Sequence, residues 1–403
     1  MQQPLRERFH QNLPARKSSD PEYVSELVDA VLRSAREAAA SDVHLQPTAE
    51  HLEMKWRIDG VLQPVAEFPL ELATKVVARL KVLAELLTYR TDIPQEGRLC
   101  VAEDNVETRI STFPTLFGEK VVARLFVGSG KFRRLDELGL ESDVLAQLQR
   151  LLEQTGGVIL LTGPAGSGKT TTIYAALREI VDKTGGSRSL VTLEDPIEVV
   201  VPGVAQSQVN PAVDFNMATG LRSQLRQDPE VLMVGEIRDR ETAETVFQAC
   251  LTGHLVVTTF HAGSAAAAIS RLCDMGIEPY LIRSGLLAVL CQRLLRKLCH
   301  CAIVSNEVDA RMGLNVEQVR QPVGCDDCGG TGYSGRMLLT EMLIPDEAEL
   351  GRAILDRSDA RQLHQRAVEG GMVEQWERAR QAVERGETSP AEVFRVLGTR
   401  NSD

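Results

Sequence analysis

Residues 163–170 carry the clearest chemical pattern in this sequence. They read Gly-Pro-Ala-Gly-Ser-Gly-Lys-Thr, which fits the phosphate-binding loop Gly-x-x-x-x-Gly-Lys-Thr without exception. Glycines let such a loop curl so that several N–H groups converge on phosphates, and a following helix adds its positive N-terminal end. Lys169 is expected to reach the β- and γ-phosphates, and the Thr170 hydroxyl to ligate Mg2+. The pattern predicts an ATP site formed by Gly163, Pro164, Ala165, Gly166, Ser167, Gly168, Lys169, Thr170 and Thr171.

Two acidic clusters follow short apolar segments further along the chain. Residues 193–198 read Leu-Glu-Asp-Pro-Ile-Glu, and residues 235–239 read Gly-Glu-Ile-Arg-Asp. Glu194 and Glu236 are each the first acid after a predicted strand, where α/β sheets place their ligand chemistry. Hydrolysis needs one carboxylate to orient or deprotonate water and another to hold magnesium directly or through water. We assign Mg2+ to Thr170 and Glu194 and leave open which glutamate is the base. The alternative for either acid is a helix cap or a solvated turn.

A histidine stands at each end of the apolar segment that follows the second acidic cluster. His254 and His261 are seven residues apart, which places them on opposite faces of an ideal strand. One of them is therefore expected to face the nucleotide. His261, at the C-terminal end, is the better candidate for contact with the γ-phosphate. From the residues alone, an ordinary structural histidine is the alternative.

Four of the eight cysteines form two close pairs, Cys299-x-Cys301 and Cys325-x-x-Cys328. A Cys-x-x-Cys turn presents two thiolates together, and structural zinc prefers four thiolates in a tetrahedron. The first pair is one residue short of that spacing, so four free thiols in a loop stay as the alternative. The pattern predicts a structural Zn2+ site with no open position for catalysis.

The elements that position these residues begin with a small α+β domain. Helical spacing over residues 24–32 is followed by strict alternation over 52–58 and an Asp-Gly turn at 59–60. Helical and strand patterns then recur up to residue 127. Residues 1–20 are polar and contain prolines, which predicts a mobile tail.

From residue 136 onward, short apolar runs alternate with helical segments. The runs at 158–161, 190–193, 231–234 and 255–259 have no polar face, as expected of buried parallel strands. This alternation predicts a doubly wound α/β core. The resulting division is a tail (1–20), an N-terminal domain (21–127), a linker (128–135) and an ATPase domain (136–403) that includes a cysteine element (297–336) and C-terminal helices (345–403).

The composition excludes several other classes of protein. A net charge of −11 argues against broad binding to nucleic acid, so no direct nucleic-acid partner is expected. The N-terminus carries no charged-then-apolar signal segment, and no run approaches the roughly 18 apolar residues that span a bilayer. These features predict a cytoplasmic protein whose membrane role comes through a partner and whose cysteines stay reduced.

Taken in order, these motifs closely resemble the ATPases of type II secretion and type IV pilus assembly, over most of the chain. Ser-Asp-Val-His-Leu-Gln-Pro (41–47) is similar to that family's entry to its N-terminal domain, and Arg-Ile-Asp-Gly (57–60) to its hairpin. The phosphate loop, both acidic clusters and the histidine segment follow in the family's order. Gln-Arg-Leu-Leu-Arg-Lys-Leu-Cys (292–299) and Gly-Tyr-Ser-Gly-Arg (332–336) complete the match.

The resemblance implies a RecA-like P-loop NTPase core, a PAS-like N-terminal α+β domain and a small zinc-binding insertion. It also implies a homo-hexameric, Mg2+-dependent ATPase motor that acts at the inner membrane with a polytopic platform protein. By position, Arg98 and Arg109 look like the two arginines that this N-terminal domain lends to the γ-phosphate. A planar cation stabilises a transferring phosphoryl group. An ordinary exposed strand arginine is the alternative for each.

Some features depart from the family pattern or leave other functions open. The short N-terminus suggests that the extra domain by which many members dock onto their membrane partner is missing, and the first cysteine pair is a residue short. A nucleotide-gated scaffold with negligible hydrolysis is one alternative, although both acids and both arginines speak against it. A RecA-like nucleic-acid motor is another, and the acidic balance speaks against that.

Overall fold

The computed structural model describes residues 5–16, 20–101, 106–125, 134–345 and 348–399. The chain divides into two compact units, the first comprising residues 1–128, 296–303 and 321–335, and the second residues 129–295, 304–320 and 336–403. The predicted turn at 104–105 and most of the predicted linker, 128–135, lie outside the described residues.

The cysteine-bearing segments group with the N-terminal unit, whereas the sequence division placed residues 297–336 with the ATPase domain. One hydrogen bond shows the kind of contact responsible, because the backbone N–H of Gly335 donates to Asp59 Oδ2 at 3.1 Å. Asp59 lies in the Asp-Gly turn, 276 residues earlier in the chain. Such a long-range contact leaves no signal in local sequence patterns.

The first unit is built on an antiparallel sheet. Its helices are α1 (Leu5–Gln11), α2 (Tyr23–Glu37) and α3 (Ala73–Leu83). Its strands are β1 (Asp42–Pro47), β2 (His51–Ile58), β3 (Val61–Pro69), β4 (Gln95–Val101), β5 (Val106–Thr115) and β6 (Gly118–Leu125). The strand order is β3-β2-β1-β6-β5-β4. This architecture matches the predicted α+β class.

Strict alternation along the strands sorts the side chains of this sheet between two faces. Val43, Leu45 and Trp56 are buried in one core with Leu27 of α2 and Val77 of α3. One face of the sheet is therefore covered by helices. The alternate residues of the same strands project from the opposite face.

Helix α1 differs from the prediction that residues 1–20 form a mobile tail. Phe9 is 1% exposed, and its ring centroid lies 5.6 Å from Trp56 and 6.2 Å from Phe68, both edge-on. Such edge contacts stabilise beyond the area they bury. The helix has only seven residues and two apolar ones, Leu5 and Phe9, which is too few for a periodic signal.

The elements after residue 134 centre on a seven-stranded sheet of order β15-β12-β7-β11-β10-β8-β9. The strands are β7 (Gly157–Thr162), β8 (Leu190–Glu194), β9 (Ala205–Gln208), β10 (Val231–Val234), β11 (Leu255–Phe260), β12 (Leu286–Leu298) and β15 (Tyr333–Leu343), with a separate ribbon of β13 (Ile303–Ser305) and β14 (Val319–Gln321). The helices are α4 (Ser142–Leu152), α5 (Lys169–Thr184), α6 (Met217–Gln224), α7 (Arg240–Leu251), α8 (Ala265–Asp274), α9 (Pro279–Gly285), α10 (Glu349–Leu355), α11 (Ala360–Glu369), α12 (Gln375–Glu384) and α13 (Pro390–Leu397).

The central strands of this sheet run parallel and are buried on both faces. β12, β7, β11, β10, β8 and β9 pair in parallel along the sheet. Along β7, Val158 and Leu160 enter one apolar core, whereas Ile159 and Leu161 enter another. The predicted doubly wound α/β core is confirmed, and it places the carboxyl ends of these strands along one edge.

The longest apolar stretch of the sequence, residues 281–295, is shared between α9 and β12. Its arginines interrupt it, and the strand half is hydrogen-bonded to β7 within the sheet. In the described parts of the chain, no helix combines the length and apolar character needed to cross a membrane.

Candidate functional site

The predicted phosphate loop joins β7 to α5, the strand-to-helix context that the motif requires. Two of its glycines are needed by the backbone. Gly168 has φ +91°, a left-handed conformation that side chains disfavour. A Cβ atom on Gly163 would lie 2.4 Å from the carbonyl oxygen of Gln292, so that position accepts no side chain. The loop therefore curls tightly before a helix whose N-terminal end favours phosphate.

Lys169 is the first residue of α5, and it is 8% exposed. Its Nζ donates to the carbonyl oxygens of Gly163 at 2.8 Å and of Pro164 at 2.9 Å. Burial lowers the pKa of Lys169, and the nearby negative charge of Glu236 opposes that shift. The ammonium is thus held inside the loop, where phosphate oxygens would be stronger partners than carbonyls.

Glu236, at the end of β10, meets His261, at the end of β11. His261 Nε2 lies 2.8 Å from Glu236 Oε1, and His261 Nδ1 lies 3.3 Å from the Gly163 carbonyl oxygen. Arg238 donates from Nε to Glu236 Oε2 at 2.9 Å and contacts Asp195 Oδ2 at 3.1 Å. The structure therefore brings three of the predicted site residues, Lys169, Glu236 and His261, to the phosphate loop.

Glu194, the last residue of β8, has a different environment. It is 2% exposed, and its two oxygens accept from three side chains. Thr192 Oγ1 donates to Oε1 at 2.6 Å, Gln206 Nε2 donates to Oε1 at 3.0 Å, and the Tyr174 hydroxyl donates to Oε2. Glu194 is a carboxylate fixed by the protein, whereas Glu236 lies nearer the surface.

His254 is not part of this cluster. Its Nδ1 lies 2.9 Å from the Ala249 carbonyl oxygen and 3.0 Å from Thr252 Oγ1, at the start of β11. The strand separates the two histidines, and only His261 lies at the carboxyl end with the acids.

Sequence reasoning did not assign roles to five further residues around the site: Tyr174, Thr192, Gln206, Arg238 and Gln292. Arg238 lies within the second acidic cluster, and its spacing there does not indicate which acid it pairs with. Thr192 precedes Glu194 by two residues, and this strand spacing could have placed both side chains on one face. Gln292 Nε2 donates to Thr172 Oγ1 on α5 at 2.9 Å, a contact between distant segments that no local pattern shows.

Arg98 and Arg109 lie opposite each other on β4 and β5 of the N-terminal sheet. The same register continues through Arg124 on β6 and Asp42 on β1 to Arg57 on β2. Residues opposite one another in antiparallel strands project to the same face. These five residues, here called the arginine row, therefore share the face away from the helices.

Asp42 is the one acid of the arginine row. Its carboxylate lies 3.1 Å from Arg124 Nε and 3.5 Å from Arg57 Nε, and its side chain is 9% exposed. Ser41 Oγ also donates to it at 2.8 Å. A nearly buried carboxylate thus holds two of the four guanidinium groups.

The four clustered cysteines come together in the first unit. Sulfur–sulfur distances are 3.6 Å for Cys299–Cys325, 3.9 Å for Cys301–Cys328 and 3.8 Å for Cys325–Cys328. Four thiolates about 2.3 Å from a tetrahedral Zn2+ lie about 3.8 Å apart, so the donor set fits that ion. Although burial opposes it, backbone N–H groups of Cys325 and Gly332 lower the pKa of Cys328 and favour its thiolate.

A family model described as type II/IV secretion system protein matches residues 17–395. The chain belongs to this family. The resemblance identified from the motifs is therefore confirmed. Membership implies the use of a nucleotide with magnesium. Proteins of this family work together with other components of a secretion machine.

Individual relatives agree with the family match. The type IV pilus assembly ATPase TfpB of Acinetobacter baylyi is 39% identical over 392 residues, 94% of this chain and 66% of TfpB. The type II secretion system protein HxcR of Pseudomonas aeruginosa is 40% identical over 376 residues, 93% of this chain and 77% of HxcR. The chain thus spans about two thirds to three quarters of these relatives. The predicted enzyme class, an ATPase of secretion and pilus assembly, is confirmed at the level of the family.

Among solved structures, the ATPase DotB of Yersinia pseudotuberculosis matches with a TM-score of 0.69 and 20% identity, over 95% of each chain. At that identity the likeness supports the fold alone. The predicted RecA-like P-loop fold is confirmed.

Proposed function

We propose that this secretion-family protein is a Mg2+-dependent ATPase that works as a homo-hexameric motor for type II secretion or for assembly of a type IV pilus-like fibre. The observation that carries the proposal is the meeting of Lys169, Glu236 and His261 at the phosphate loop. The buried cation of Lys169 and the ring of His261 both contact the backbone carbonyl oxygen of Gly163. His261 also contacts the partly exposed carboxylate of Glu236. This combination suits the hydrolysis of a terminal phosphate.

Glu236 is the better candidate for activating water. Its side chain is 21% exposed, and its partners His261 and Arg238 are 47% and 62% exposed, so water can approach and the contacts can adjust. His261 would orient the carboxylate and lie near the γ-phosphate. The proposed division is that Glu236 accepts the proton of the attacking water, and that Glu194 serves magnesium indirectly.

The phosphates are held by the loop and by α5. Lys169 exchanges its two carbonyl partners for β- and γ-phosphate oxygens, and the N–H groups of Gly166, Ser167 and Gly168 complete the cradle. Thr170 would supply a hydroxyl ligand to magnesium, and Glu194 would serve the ion indirectly, as a hydrogen-bond acceptor for its hydration water. When bound, Mg2+ neutralises charge on the β- and γ-phosphates.

Arg98 and Arg109 are proposed to complete the site from the N-terminal sheet. Both sit in the arginine row, where Asp42 offsets part of the positive charge and fixes two neighbouring guanidinium groups. A guanidinium matches phosphoryl geometry through paired donors. Bringing these arginines to the γ-phosphate would make hydrolysis depend on a movement, which is how a motor couples chemistry to mechanical work.

The cysteine cluster is proposed to bind one structural Zn2+ through Cys299, Cys301, Cys325 and Cys328. All four sulfur atoms lie within 4.8 Å of one another, and Cys299 and Cys328 are buried. Four protein ligands leave no open position, so the ion would contribute to folding and not to hydrolysis.

The proposed setting is the cytoplasmic side of the inner membrane, reached through partner proteins. Relatives that share about two fifths of the residues are named for type II secretion and type IV pilus assembly. A polytopic platform protein of such a machine is the proposed docking partner.

Hydrolysis by two variants of the full chain tests the enzymatic proposal. Lys169→Ala is expected to lose ATP binding and turnover, because it removes the buried cation from the loop. Glu236→Gln is expected to keep ATP binding and lose turnover by about 100-fold or more, since an amide cannot accept the proton. Phosphate release at saturating ATP measures both.

Glu230→Gln is the matched control, because Glu230 precedes β10 and Glu236 follows it. Glu230 is a surface acid that pairs with Arg188, so its loss should leave turnover unchanged. If Lys169→Ala and Glu236→Gln both hydrolyse ATP at the wild-type rate, the proposed site is wrong.

A further inference from the structure

Tyr174 is a buried polar residue without a role in the proposed chemistry. It lies on α5 and is 1% exposed, with its ring packed in the apolar core that includes Ile173 and Leu177. Its hydroxyl donates to Glu194 Oε2 and accepts the backbone N–H of Glu198 at 3.0 Å. Burial and the neighbouring carboxylate raise the pKa of Tyr174, so the phenol keeps its proton and remains the donor.

The contacts of Glu194 leave one acceptor position. A carboxylate has about four lone-pair positions, two on each oxygen. Thr192 and Gln206 both donate to Oε1 and use the two positions there. Within the described part of the chain, Oε2 accepts only from Tyr174. The remaining position is therefore on the oxygen whose orientation Tyr174 sets.

Tyr174 and Thr170 lie on the same face of α5. They are four residues apart, which places them one helical turn from each other, about 6 Å along the axis. Thr170 is the proposed magnesium ligand at the start of this helix. The Tyr174 hydroxyl therefore joins the face of α5 that carries Thr170 to the carboxylate at the end of β8.

We propose that Tyr174 is a positioning residue for the metal: its hydroxyl orients Glu194 so that the open position of Oε2 accepts a hydrogen bond from a metal-bound water. The inference rests on the proposed function, in which Glu194 serves magnesium indirectly. It adds that the link from Glu194 to the phosphate helix runs through one phenol oxygen.

A purely structural role for the hydroxyl has different consequences. The ring would be retained in Tyr174→Phe, which leaves Oε2 of Glu194 and the N–H of Glu198 without the phenol oxygen. If that oxygen only satisfies buried polar atoms, its loss would lower the melting temperature and leave metal binding unchanged. If that oxygen orients Glu194, metal affinity falls as well, because the loss of a residue that orients a metal ligand typically lowers metal affinity 10- to 100-fold.

The test uses Mn2+ in place of Mg2+, with the full chain and a non-hydrolysable ATP analogue, and follows free Mn2+ by electron paramagnetic resonance. Tyr174→Phe is expected to weaken Mn2+ binding about tenfold. Glu194→Gln should weaken it at least as much. The double variant should bind Mn2+ no more weakly than Glu194→Gln alone, since Tyr174 acts through that carboxylate.

Thr340→Val is the matched control. Thr340 is fully buried in the same unit and donates to Glu141 Oε2 at 2.6 Å. The valine substitution therefore removes a comparable hydrogen bond from a hydroxyl to a carboxylate. It should lower the melting temperature and keep wild-type Mn2+ affinity. The proposal is overturned if Tyr174→Phe behaves like Thr340→Val, or if the losses in the double variant multiply.

Turnover of Glu236→Gln separates this inference from the proposed function. Normal turnover in that variant would remove the assignment of Glu236, whereas the Mn2+ measurements address Tyr174 and Glu194 alone. A loss of turnover in Glu236→Gln together with unchanged Mn2+ affinity in Tyr174→Phe would overturn only the role given to Tyr174.

Discussion

The two sheets of this chain hold charged side chains in different ways. Next to the carboxyl ends of the parallel strands, Lys169 of α5 and Glu194 of β8 are buried and hydrogen-bonded to protein groups. In the N-terminal sheet, four arginines stand in a row on the face away from the helices, with Asp42 as the one acid among them. Burial fixes the first set, whereas register and one carboxylate arrange the second.

This difference suggests a division of labour. Groups that bind phosphates in place are best held rigid, because preorganised donors need no rearrangement during the reaction. Groups that complete a site by movement must be arranged in advance and yet stay able to meet a new partner. The arginine row has the second character, since Arg98 is exposed and Arg124 is 63% exposed.

The largest expected effect comes from removing an arginine of the row that is proposed to act on the nucleotide. Arg109→Ala, and separately Arg98→Ala, should lower kcat about 1,000-fold, the lower end of what such an arginine contributes to phosphoryl transfer. Affinity for ATP should change little, because the loop residues hold the nucleotide. Phosphate release and titration with a fluorescent ATP analogue measure the two quantities.

Lys55→Ala provides the control on the same face of that sheet. Lys55 is opposite His44 in register and pairs with Glu53 at 2.8 Å, near the row but outside it. Its kcat should match wild type. If Arg98→Ala and Arg109→Ala also keep wild-type kcat, the row has no part in hydrolysis and the comparison loses its functional meaning.

A smaller effect, on stability, is expected from the cysteine cluster. Cys328→Ser should abolish stoichiometric Zn2+ and lower the free energy of unfolding by several kcal/mol, on the order expected when a structural zinc site is lost. Elemental analysis and urea denaturation give the two values. The first unit would then draw its stability from a metal as well as from its apolar core.

Cys273→Ala controls for thiol loss, since Cys273 is a free cysteine outside the cluster. It should retain one Zn2+ per chain. Purified wild-type protein that contains no stoichiometric zinc, or Cys328→Ser that retains it, would contradict the proposed site.

The smallest effect is expected at Asp42. Asp42→Asn removes the negative charge that Arg57 and Arg124 both face, so the positive charges of these two arginines repel each other more strongly. Unfolding free energy should fall by about 1 kcal/mol, a modest value because the arginines are partly exposed. Raising the salt concentration should recover part of the loss, because it screens the repulsion.

Asp92→Asn offers the comparison for this small effect. Asp92 pairs with Arg90 at 2.9 Å in an exposed turn, away from the row. It should change stability much less than Asp42→Asn does, with little dependence on salt. Equal losses in both variants would mean that Asp42 is an ordinary surface acid.

Sequence patterns could predict the parts of the site that local chemistry determines. The phosphate loop follows from Gly163, Gly168 and Lys169, and the meeting of Glu236 with His261 follows from the shared edge of parallel strands. Two partners of Glu194 could not be predicted, because Tyr174 and Gln206 reach it from separate elements. Packing and register decide such contacts, and neither is visible in spacing along the chain.

In the N-terminal sheet, too, local sequence patterns do not predict which residues become neighbours. Arg98 and Arg109 could be singled out only through resemblance, and nothing in their spacing points to Arg124, Asp42 or Arg57 as neighbours in one row. The register of five strands creates that row. Helix α1 was missed for a simpler reason, since seven residues with only Leu5 and Phe9 apolar carry too little pattern.

The arginine row also sets how the gene can change. Extra residues in the tip that joins β5 to β6, around residues 115–118, would leave the pairing of both strands intact. A single codon inserted within β5 would instead shift the register of the strand on one side of the insertion. The side chains there would move to the other face of the sheet, and Arg109, if among them, would point at the helices. Length variation in this domain should therefore accumulate in its hairpin tips and be excluded from the strands that carry the row.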